Sequence, residues 1–281
     1  MTIFVIHCTD MKIAIYMRNP ALAGEERIVR LVRALEEGGV ETFTVESREE
    51  LLSSGAEMLL AVGGDGTFLS AAELVADSGV PVLGVNAGRL GFLSENAPDA
   101  VAEAILAGKM TIEERPVLQV ECDATGAGVW PYAFNEVTVH RNGAAMLGVD
   151  VRLDGEQLPT YWADGLIVAT SSGSTAYSLS VGGPIVLPES KVLIISPIAP
   201  HNLNVRPLIV PDDMNVGLDL QSRDASVTLT MDNRSVEVLP GTHVSIRMAQ
   251  FSLKRVRLEK SDFIRALTEK LFWGEDVRNI L

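Results

Sequence analysis

Residues that form disulfides and metal sites are scarce in this chain of 281 residues. It has two cysteines, Cys8 and Cys122, and four histidines. The cysteines lack metal-ligand or redox spacing, so we expect two reduced thiols in a cytosolic protein, with a disulfide as the alternative. The histidines form no cluster with the spacing of a metal site.

Basic residues and long apolar runs are scarce as well. Lys and Arg total 23 against 37 Asp and Glu, which gives a net charge of −14. This excess of negative charge argues against a broad nucleic-acid or anionic membrane surface. No apolar run approaches the roughly 20 residues of a membrane span, and the N-terminus lacks the basic start and cleavage site of a signal peptide. We expect a soluble, cytoplasmic protein without nucleic-acid or membrane partners.

The apolar periodicity changes along the chain, and the length favours two domains. Early apolar segments alternate with helical ones, which indicates a parallel α/β sheet. These segments are Lys12 to Tyr16, Val40 to Val45, Met58 to Val62 and Val80 to Val85. Short alternating runs from about Thr111 to Leu258 predict mostly β structure. The amphipathic segment Asp262 to Phe272 predicts a C-terminal helix that returns to the first domain.

We therefore predict two domains of different class. Residues 1–112, completed by residues 259–281, form an α/β domain with a parallel sheet. Residues 113–258 form a mostly β domain.

The sequence Gly63-Gly64-Asp65-Gly66-Thr67 lies between an apolar strand and the helical segment Phe68 to Asp77. Glycines let the backbone approach a ligand closely, and the N–H groups at a helix start favour an anion. We therefore predict a phosphate-binding loop. Asp65 conflicts with this prediction, because a carboxylate repels phosphates unless a divalent ion bridges them or the carboxylate accepts a proton.

Two known glycine motifs fit this loop poorly. No Lys-Ser or Lys-Thr pair follows the glycines, as a Walker A loop requires. Leu69 occupies the position of the third glycine in the dinucleotide fingerprint. A tight turn with an incidental aspartate is the remaining alternative.

Three further clusters of polar residues lie at the ends of predicted strands. Asn86 to Phe92 follows the next strand, at the edge where ligands of open α/β sheets bind. Asn135-Glu136 precedes a strand and offers an amide and a carboxylate suited to ribose hydroxyls and adenine edges. Ser171 to Ser178 brings hydroxyls and Tyr177 to a strand-to-helix turn. Ordinary turns or helix caps explain each cluster singly, and a hydrolase nucleophile lacks the G-x-S-x-G motif.

The order of these motifs closely resembles the NAD kinase family, from about Met11 to the C-terminus. The segments that carry the resemblance are Gly63 to Thr67, Asn86 to Phe92, Asn135-Glu136, Asp164 to Ser178, Gly182-Gly183-Pro184, Pro200 to Leu203, Arg206 to Leu208 and Leu271 to Gly274. The chain departs from the family at Leu93, where many relatives carry an aromatic residue. Asp232-Asn233 replaces a frequent Asp-Gly turn, and a tight hairpin is still expected because Asn tolerates left-handed geometry.

The resemblance implies transfer of the γ-phosphoryl of ATP, or of another phosphoryl donor, to the adenosine 2′-hydroxyl of NAD, which yields NADP. It implies that residues 1–112, completed by residues 259–281, are the phosphate-donor and catalytic domain and that residues 113–258 are the NAD-binding domain. It implies that Asp65 accepts the hydroxyl proton while Mg²⁺, or another divalent cation, and the glycine backbone neutralise the donor phosphates. It also implies a homodimer or homotetramer in which Asp164 and Ala199 act across an interface. The implied donor-phosphate residues are Gly63, Gly64, Gly66 and Thr67, and the implied NAD-binding residues are Asp65, Gly66, Phe92, Asn135, Glu136, Asp164, Ser172, Thr175, Ala176, Tyr177, Ser180 and Ala199.

Two other functions use parts of the same pattern. A lipid kinase of the diacylglycerol type would use the glycine loop without needing the Asn135-Glu136 and Ser172 to Tyr177 clusters. A non-catalytic dinucleotide sensor would keep the pocket without needing the Asp65 carboxylate.

Overall fold

The computed structural model describes residues 11–88, 91–122, 129–259 and 263–271. Cys8, Arg89, Leu90 and the part of the C-terminal motif beyond Leu271 therefore lie outside the described residues. The chain divides into two compact units. The first comprises Met1–Glu114 and Leu253–Leu281, and the second comprises Arg115–Ser252. No helix in these described ranges has the length and apolar character needed to cross a membrane.

The first unit is built on a mainly parallel sheet. Its elements, numbered in chain order, are β1 (Lys12–Tyr16), α1 (Glu26–Glu37), β2 (Glu41–Thr44), α2 (Arg48–Ser54), β3 (Met58–Gly63), α3 (Asp65–Val75), β4 (Val82–Asn86), α4 (Pro98–Leu106), β5 (Met110–Arg115), β19 (Leu253–Leu258) and α6 (Phe263–Leu271). The strand order is β2-β1-β3-β4-β19-β5, with parallel pairing from β2 to β19. Every residue of β3 and β4 is buried, as is typical of central parallel strands.

Helix α1 shows why these residues form a helix and which face they bury. Ile28, Leu31 and Leu35 recur at helical spacing and are all buried. They belong to an apolar core that also contains residues of β1, β3 and α4. The helix ends at Gly38, and Gly39 adopts a left-handed φ of +86° that turns the chain into β2.

The strand β19 lies in a different sheet from the one that its sequence suggests. Its alternating pattern placed it in the mostly β domain, yet it pairs in parallel with β4, with Arg255 opposite Val82. Arg255 is buried there because its guanidinium pairs with Glu95 at 2.6 Å and donates to the Phe92 carbonyl at 3.1 Å. A two-residue period identifies a strand but does not identify its partners.

The second unit consists of two antiparallel sheets. Its elements are β6 (Leu118–Glu121), β7 (Tyr132–Ala133), β8 (Glu136–Arg141), β9 (Leu147–Leu153), β10 (Glu156–Gln157), β11 (Tyr161–Ala163), β12 (Gly165–Thr170), α5 (Tyr177–Ser180), β13 (Val192–Ile198), β14 (Leu208–Pro211), β15 (Val216–Gln221), β16 (Val227–Met231), β17 (Arg234–Val238) and β18 (His243–Met248). One sheet has the order β10-β9-β15-β18-β6-β7, with β11 also paired to β9. The other has the order β14-β13-β12-β8-β16-β17.

Both sheets of the second unit contribute to one apolar core. Leu166 and Val168 of β12 share it with Val149, Leu218 and Ile246 of the other sheet, and all five are buried. This packing of two inner faces is the usual arrangement of a β-sandwich. The predicted fold class, a parallel α/β domain followed by a mostly β domain, is confirmed.

Replacement of Gly84 by alanine should destabilise the first unit. A Cβ at this position in β4 would lie 2.2 Å from the backbone oxygen of Leu93, which cannot move like a flexible side chain. We expect Gly84→Ala to lower the free energy of unfolding by about 1–3 kcal/mol, the usual cost of overpacking. Urea unfolding measures this loss. Gly24→Ala is the matched control, because a Cβ there meets nothing within 4 Å, and equal stability of the two variants would contradict the prediction.

Candidate active site

The glycine loop turns β3 directly into α3. Gly63 is the last residue of the strand, Gly64 is the N-cap and Asp65 is the first helical residue. A Cβ on Gly63 would lie 2.3 Å from Oγ1 of Thr67, so a larger residue does not fit there. The loop thus brings the N–H groups of a helix start to the carboxyl end of a parallel strand, where an anion is favoured.

A cleft of about 540 Å³ opens beside this loop. Of the predicted donor-phosphate residues, its described lining includes Gly63, Gly64 and Thr67 but not Gly66, and Ala87 and Gly88 after β4 line it as well. Asn86 shapes this second loop, since its side-chain oxygen accepts a hydrogen bond from the Gly88 N–H at 2.6 Å. The residues that follow two neighbouring strands therefore meet at one edge of the sheet.

Arg18 and Asn19 also line the cleft, and the sequence analysis did not select them. They follow the carboxyl end of β1, so the rule that drew attention to the loops after β3 and β4 applies to them equally. Arg18 is exposed, and its Nη1 lies 3.8 Å from the position that a Cβ on Gly66 would occupy. Its guanidinium adds positive charge to a site that otherwise offers backbone N–H groups.

The carboxylate of Asp65 holds the loop that follows β4. Its Oδ2 accepts from the Phe92 N–H at 2.9 Å, and its Oδ1 accepts from the N–H groups of Leu93 and Ser94 at 3.0 and 2.9 Å. A Cβ on Gly91 would lie 1.9 Å from Oδ1, so glycine is required for this close approach. A carboxylate has about four acceptor positions, and three N–H groups leave one of them, on Oδ2, for a ligand.

Helix α6 covers the same loop from another side. Lys270 donates a hydrogen bond to the Gly91 carbonyl, and its ammonium lies 4.3 Å from the centre of the Phe92 ring. Phe263 also contacts Phe92, with ring centroids 6.5 Å apart. Burial lowers the pKa of Lys270, which the nearby carboxylates of Glu95 and Asp65 oppose. The C-terminal helix therefore returns to the first unit and packs on Phe92.

In the second unit, Asp232 holds the segment that leads into β8. It lies in the two-residue turn between β16 and β17, so the expected tight hairpin is confirmed, but the left-handed residue is Asp232, with a φ of +52°, and not Asn233. Its carboxylate accepts from the N–H groups of Phe134, Asn135 and Glu136 at 2.7, 2.8 and 3.3 Å. This contact orients the Asn135-Glu136 pair.

Glu136 is buried at the start of β8. Burial, reinforced by the charge of Asp232 and opposed by a hydrogen bond from the Tyr177 backbone, raises the pKa of Glu136 to about 8. Its Oε2 has no hydrogen-bond partner among the residues that the structure describes. Glu136, Asp232 and Tyr177 share a cavity of about 330 Å³ with Thr138 and Arg141.

The serine-rich cluster forms a short 3₁₀ turn, Ser172–Thr175, followed by the single-turn helix α5. A Cβ on Gly173 would lie 2.2 Å from the Asn135 carbonyl oxygen, so this turn packs directly on the segment before β8. Ser174 does not cap a helix: its hydroxyl donates to the Val186 carbonyl and accepts from the Val186 N–H. The structure thus brings Asn135, Glu136 and Tyr177 together.

Asp164 and Ala199 lie elsewhere in the second unit. They flank the first pair of β12 and β13, Gly165 and Ile198, whereas Glu136 pairs with Ala169 near the other end of β12. The five residue steps from Asp164 to Ala169 span roughly 17 Å at about 3.4 Å per residue. Asp164 forms a 2.6 Å ion pair with Arg141, whose hydrogen bond lowers the pKa of the Asp164 carboxyl. Within one chain, these two residues are not close to Glu136.

Replacement of Glu136 by glutamine should change how stability depends on pH. Because the pKa of Glu136 rises from 4.5 to about 8 on folding, its stabilising contribution is complete below 4.5 and is lost as the pH rises through 8. The loss reaches about 1.4 kcal/mol per pH unit between these values. Glutamine keeps the neutral shape, so Glu136→Gln should gain stability relative to the unmodified protein as the pH rises.

Urea unfolding at pH 5, 6.5 and 8 tests this dependence. Glu237→Gln, which alters an exposed carboxylate on β17, is the matched control and should follow the unmodified protein at each pH. A stability difference between Glu136→Gln and the unmodified protein that stays constant across this range would contradict the prediction.

Two family models together cover most of the chain. Residues 11–108 match the ATP-NAD kinase N-terminal domain, and residues 134–258 match the ATP-NAD kinase C-terminal domain. The chain is 44% identical to an NAD kinase of Bacteroides fragilis over 227 residues, which are 79% of this chain and 78% of that protein. It is 42% identical to an NAD kinase of Flavobacterium psychrophilum, over 85% of this chain and 83% of the other.

Solved structures show the same architecture. Yeast NADH kinase in complex with NADH superposes with a TM-score of 0.85, at 23% identity, over 97% of this chain and 90% of the other. An NAD kinase from Archaeoglobus fulgidus in complex with ATP superposes with a TM-score of 0.74, at 28% identity, over 89% of this chain and 95% of the other. In sequence and in fold, therefore, the chain belongs to the ATP-NAD kinase family.

Proposed function

We propose that this protein is an NAD kinase, which transfers the γ-phosphoryl of ATP, or of another phosphoryl donor, to the adenosine 2′-hydroxyl of NAD and releases NADP. The observation that carries the proposal is the match of both family domains, in order, to residues 11–108 and 134–258. The geometry of the glycine loop supports the same chemistry, because phosphoryl transfer depends on positioning and charge neutralisation.

The donor phosphates bind in the cleft beside the glycine loop. The N–H groups of Gly64 and Gly66, at the start of α3, bind the phosphates, while Gly63 allows the close turn. The Thr67 N–H already donates to the Gly64 carbonyl at 2.9 Å, so Thr67, which lines the cleft, binds through its hydroxyl. Mg²⁺ usually binds through one or two carboxylates and substrate phosphates. Because the described residues of this cleft include no carboxylate, we expect the ion to be held mainly by the donor phosphates, whose charge it neutralises.

Asp65 has two roles in this proposal. Its three hydrogen bonds from backbone N–H groups fix the loop that carries Phe92, which we assign to the NAD site. The acceptor position left on Oδ2 can take the hydrogen bond of the 2′-hydroxyl and then its proton, as a general base does. The role as a general base agrees with the resemblance to NAD kinases. The role in fixing the loop follows from the three hydrogen bonds of the Asp65 carboxylate.

The NAD molecule is bound mainly by the second unit. Asn135 and Glu136 contact the adenosine and its ribose, and the turn and helix after β12 supply the remaining contacts. We assign to these contacts Ser172, Thr175, Ala176, Tyr177 and Ser180. Asp164 and Ala199 lie at the other end of β12, so we propose that they serve the NAD site of a neighbouring subunit in a homodimer or homotetramer.

The full chain should form NADP from NAD and a phosphoryl donor with Mg²⁺, and Asp65→Asn should abolish most of this turnover. General-base catalysis contributes about 10²–10⁴ in rate, so kcat should fall by that factor. A matrix of donors (ATP, other nucleotides, polyphosphate) and acceptors (NAD, NADH, diacylglycerol), with product identification by mass spectrometry, measures the reaction directly.

Asp77→Asn is the matched control, because Asp77 pairs with Arg48 at the far end of α3. It should retain turnover. Absence of NADP with every donor would disprove the kinase function, phosphorylation of diacylglycerol in preference to NAD would indicate a lipid kinase, and unchanged kcat in Asp65→Asn would remove Asp65 from the chemistry.

Replacement of Arg18 by alanine should weaken donor binding selectively. A charge-assisted hydrogen bond contributes about 1.5–3 kcal/mol, so KM for the donor should rise about 10- to 150-fold while KM for NAD stays unchanged. Steady-state kinetics with each substrate varied in turn separate the two effects. Arg33→Ala, on the exposed face of α1, serves as the control. An equal rise in both KM values would show that Arg18 does not act on the donor.

A further inference from the structure

Two carboxylates line one cavity at the start of β8, that of the buried Glu136 and that of the half-buried Asp232, and their roles differ. We propose that Glu136 takes part in NAD binding as a neutral carboxylic acid that donates a hydrogen bond to the ligand, and that Asp232 is the residue that positions it. This inference rests on the proposed function, and it concerns the chemical state in which one binding residue acts.

The surroundings of Glu136 disfavour its charged form. The side chain is 8% exposed, and the Tyr177 backbone is the group that opposes the rise in its pKa. Oε2 has no partner in the described part of the unit. A buried ionised carboxylate needs several donors to offset the loss of hydration, whereas the neutral acid costs far less to bury. These contacts explain why burial raises the pKa of this group.

The surroundings of Asp232 favour its charged form. Its two oxygens accept three backbone N–H groups, and hydrogen bonds of this kind stabilise a carboxylate. Burial raises the pKa of Asp232 too, but these N–H groups and the charge of Arg234 oppose that shift. Of the two groups, Glu136 therefore holds the proton.

The cations around the cavity are engaged with other groups. Arg141 of β8 pairs with Asp164 at 2.6 Å. Arg234 of β17 donates to the Tyr132 carbonyl, and its guanidinium lies 4.8 Å above the Trp130 ring. From β8, His140 also lines the cavity, with Nδ1 3.4 Å from the Arg141 carbonyl. Among the described residues, neither Arg141 nor Arg234 forms an ion pair with Glu136.

The remaining groups that face the cavity are neutral. Threonine hydroxyls come from β8 and β16, and the Tyr177 ring comes from α5. The only negative charge beside Glu136 among the described lining residues is that of Asp232. A proton on Glu136 thus removes the electrostatic repulsion between Glu136 and Asp232, and it reduces the repulsion that an anionic ligand meets in the cavity.

This state determines what Glu136 can recognise. A carboxylic acid donates one hydrogen bond through its O–H, so its partner is a lone pair on the ligand, such as a purine ring nitrogen or a hydroxyl oxygen. An ionised glutamate would accept hydrogen bonds instead, and it would repel the pyrophosphate of the dinucleotide. Because Asp232 fixes the backbone of residues 134–136, it also fixes the direction from which this donor approaches.

The test is the dissociation constant of NAD as a function of pH, measured by calorimetry on the full chain without a phosphoryl donor. If the neutral acid binds, Kd stays constant up to about pH 7 and rises about tenfold per pH unit above about pH 8. Glu136→Gln, which imitates the neutral form, should bind within about threefold of the unmodified protein at pH 7 and should lose the pH dependence. Glu237→Gln, an exposed change on β17, should keep it.

Asp232→Asn tests the positioning role. Loss of its charge should lower the pH at which Kd begins to rise, because the neighbouring charge no longer opposes ionisation of Glu136. A merely structural defect would weaken binding equally at every pH. Circular dichroism identifies variants that do not fold, and for a misfolded Asp232→Asn the Glu136→Gln comparison alone decides the proposal.

Three results would overturn the inference. They are a Kd that stays flat to pH 10, a loss of binding by more than tenfold in Glu136→Gln at pH 7, or a pH dependence that Mg²⁺ abolishes, since a cation would then neutralise the pair. Binding of NAD with any of these results leaves the kinase function intact. Absence of NAD binding at every pH would refute the proposed function together with this inference.

Discussion

Both units depend on one interaction: an aspartate carboxylate that accepts hydrogen bonds from three consecutive backbone N–H groups. Asp65 binds residues 92–94 in this way, and Asp232 binds residues 134–136. Three consecutive N–H groups that point to one centre form a concave site for an anion. Here the protein supplies the anion itself. Asp65 thereby fixes the segment that carries Phe92 in the first unit, and Asp232 fixes the segment that carries Asn135 and Glu136 in the second.

Glycine makes these close contacts possible. Gly91 lies against the Asp65 carboxylate, and Gly173 lies against the Asn135 carbonyl, at distances that leave no room for a Cβ. Both glycines therefore serve packing between two segments rather than a tight turn. The functional loops of each unit are held by contact with a neighbouring segment, which limits the side chains that either segment can carry.

Much of the architecture could be predicted because it is encoded locally. Apolar runs and alternating segments identified the two fold classes, and the glycine loop after Val62 identified the cleft. The position of β19 could not be predicted, since strand pairing joins residues about 170 positions apart in the chain and leaves no local signal.

The direction of the Asp65 side chain could not be predicted from the sequence either. Its partners are backbone N–H groups of the loop after β4, and almost every residue type provides such a group. For the same reason, the contact of Asp232 with residues 134–136 could not be predicted, because the sequence around Asp232 indicated only a hairpin turn. The position of Arg18 at the cleft could have been predicted from the sequence, because Arg18 follows the first parallel strand. The roles of all these residues in binding stay predictions.

The place of β19 also determines the order in which the chain can fold during synthesis. This strand lies between β4 and β5, and its Arg255 closes on Glu95 beside the loop that Asp65 holds. Until residues 253–258 have left the ribosome, the first sheet is incomplete and β4 has an unpaired edge, which is prone to aggregation. N-terminal domains usually fold first. Here the second unit, Arg115–Ser252, is contiguous in the chain, so it can fold before the last strand of the first unit has been synthesised.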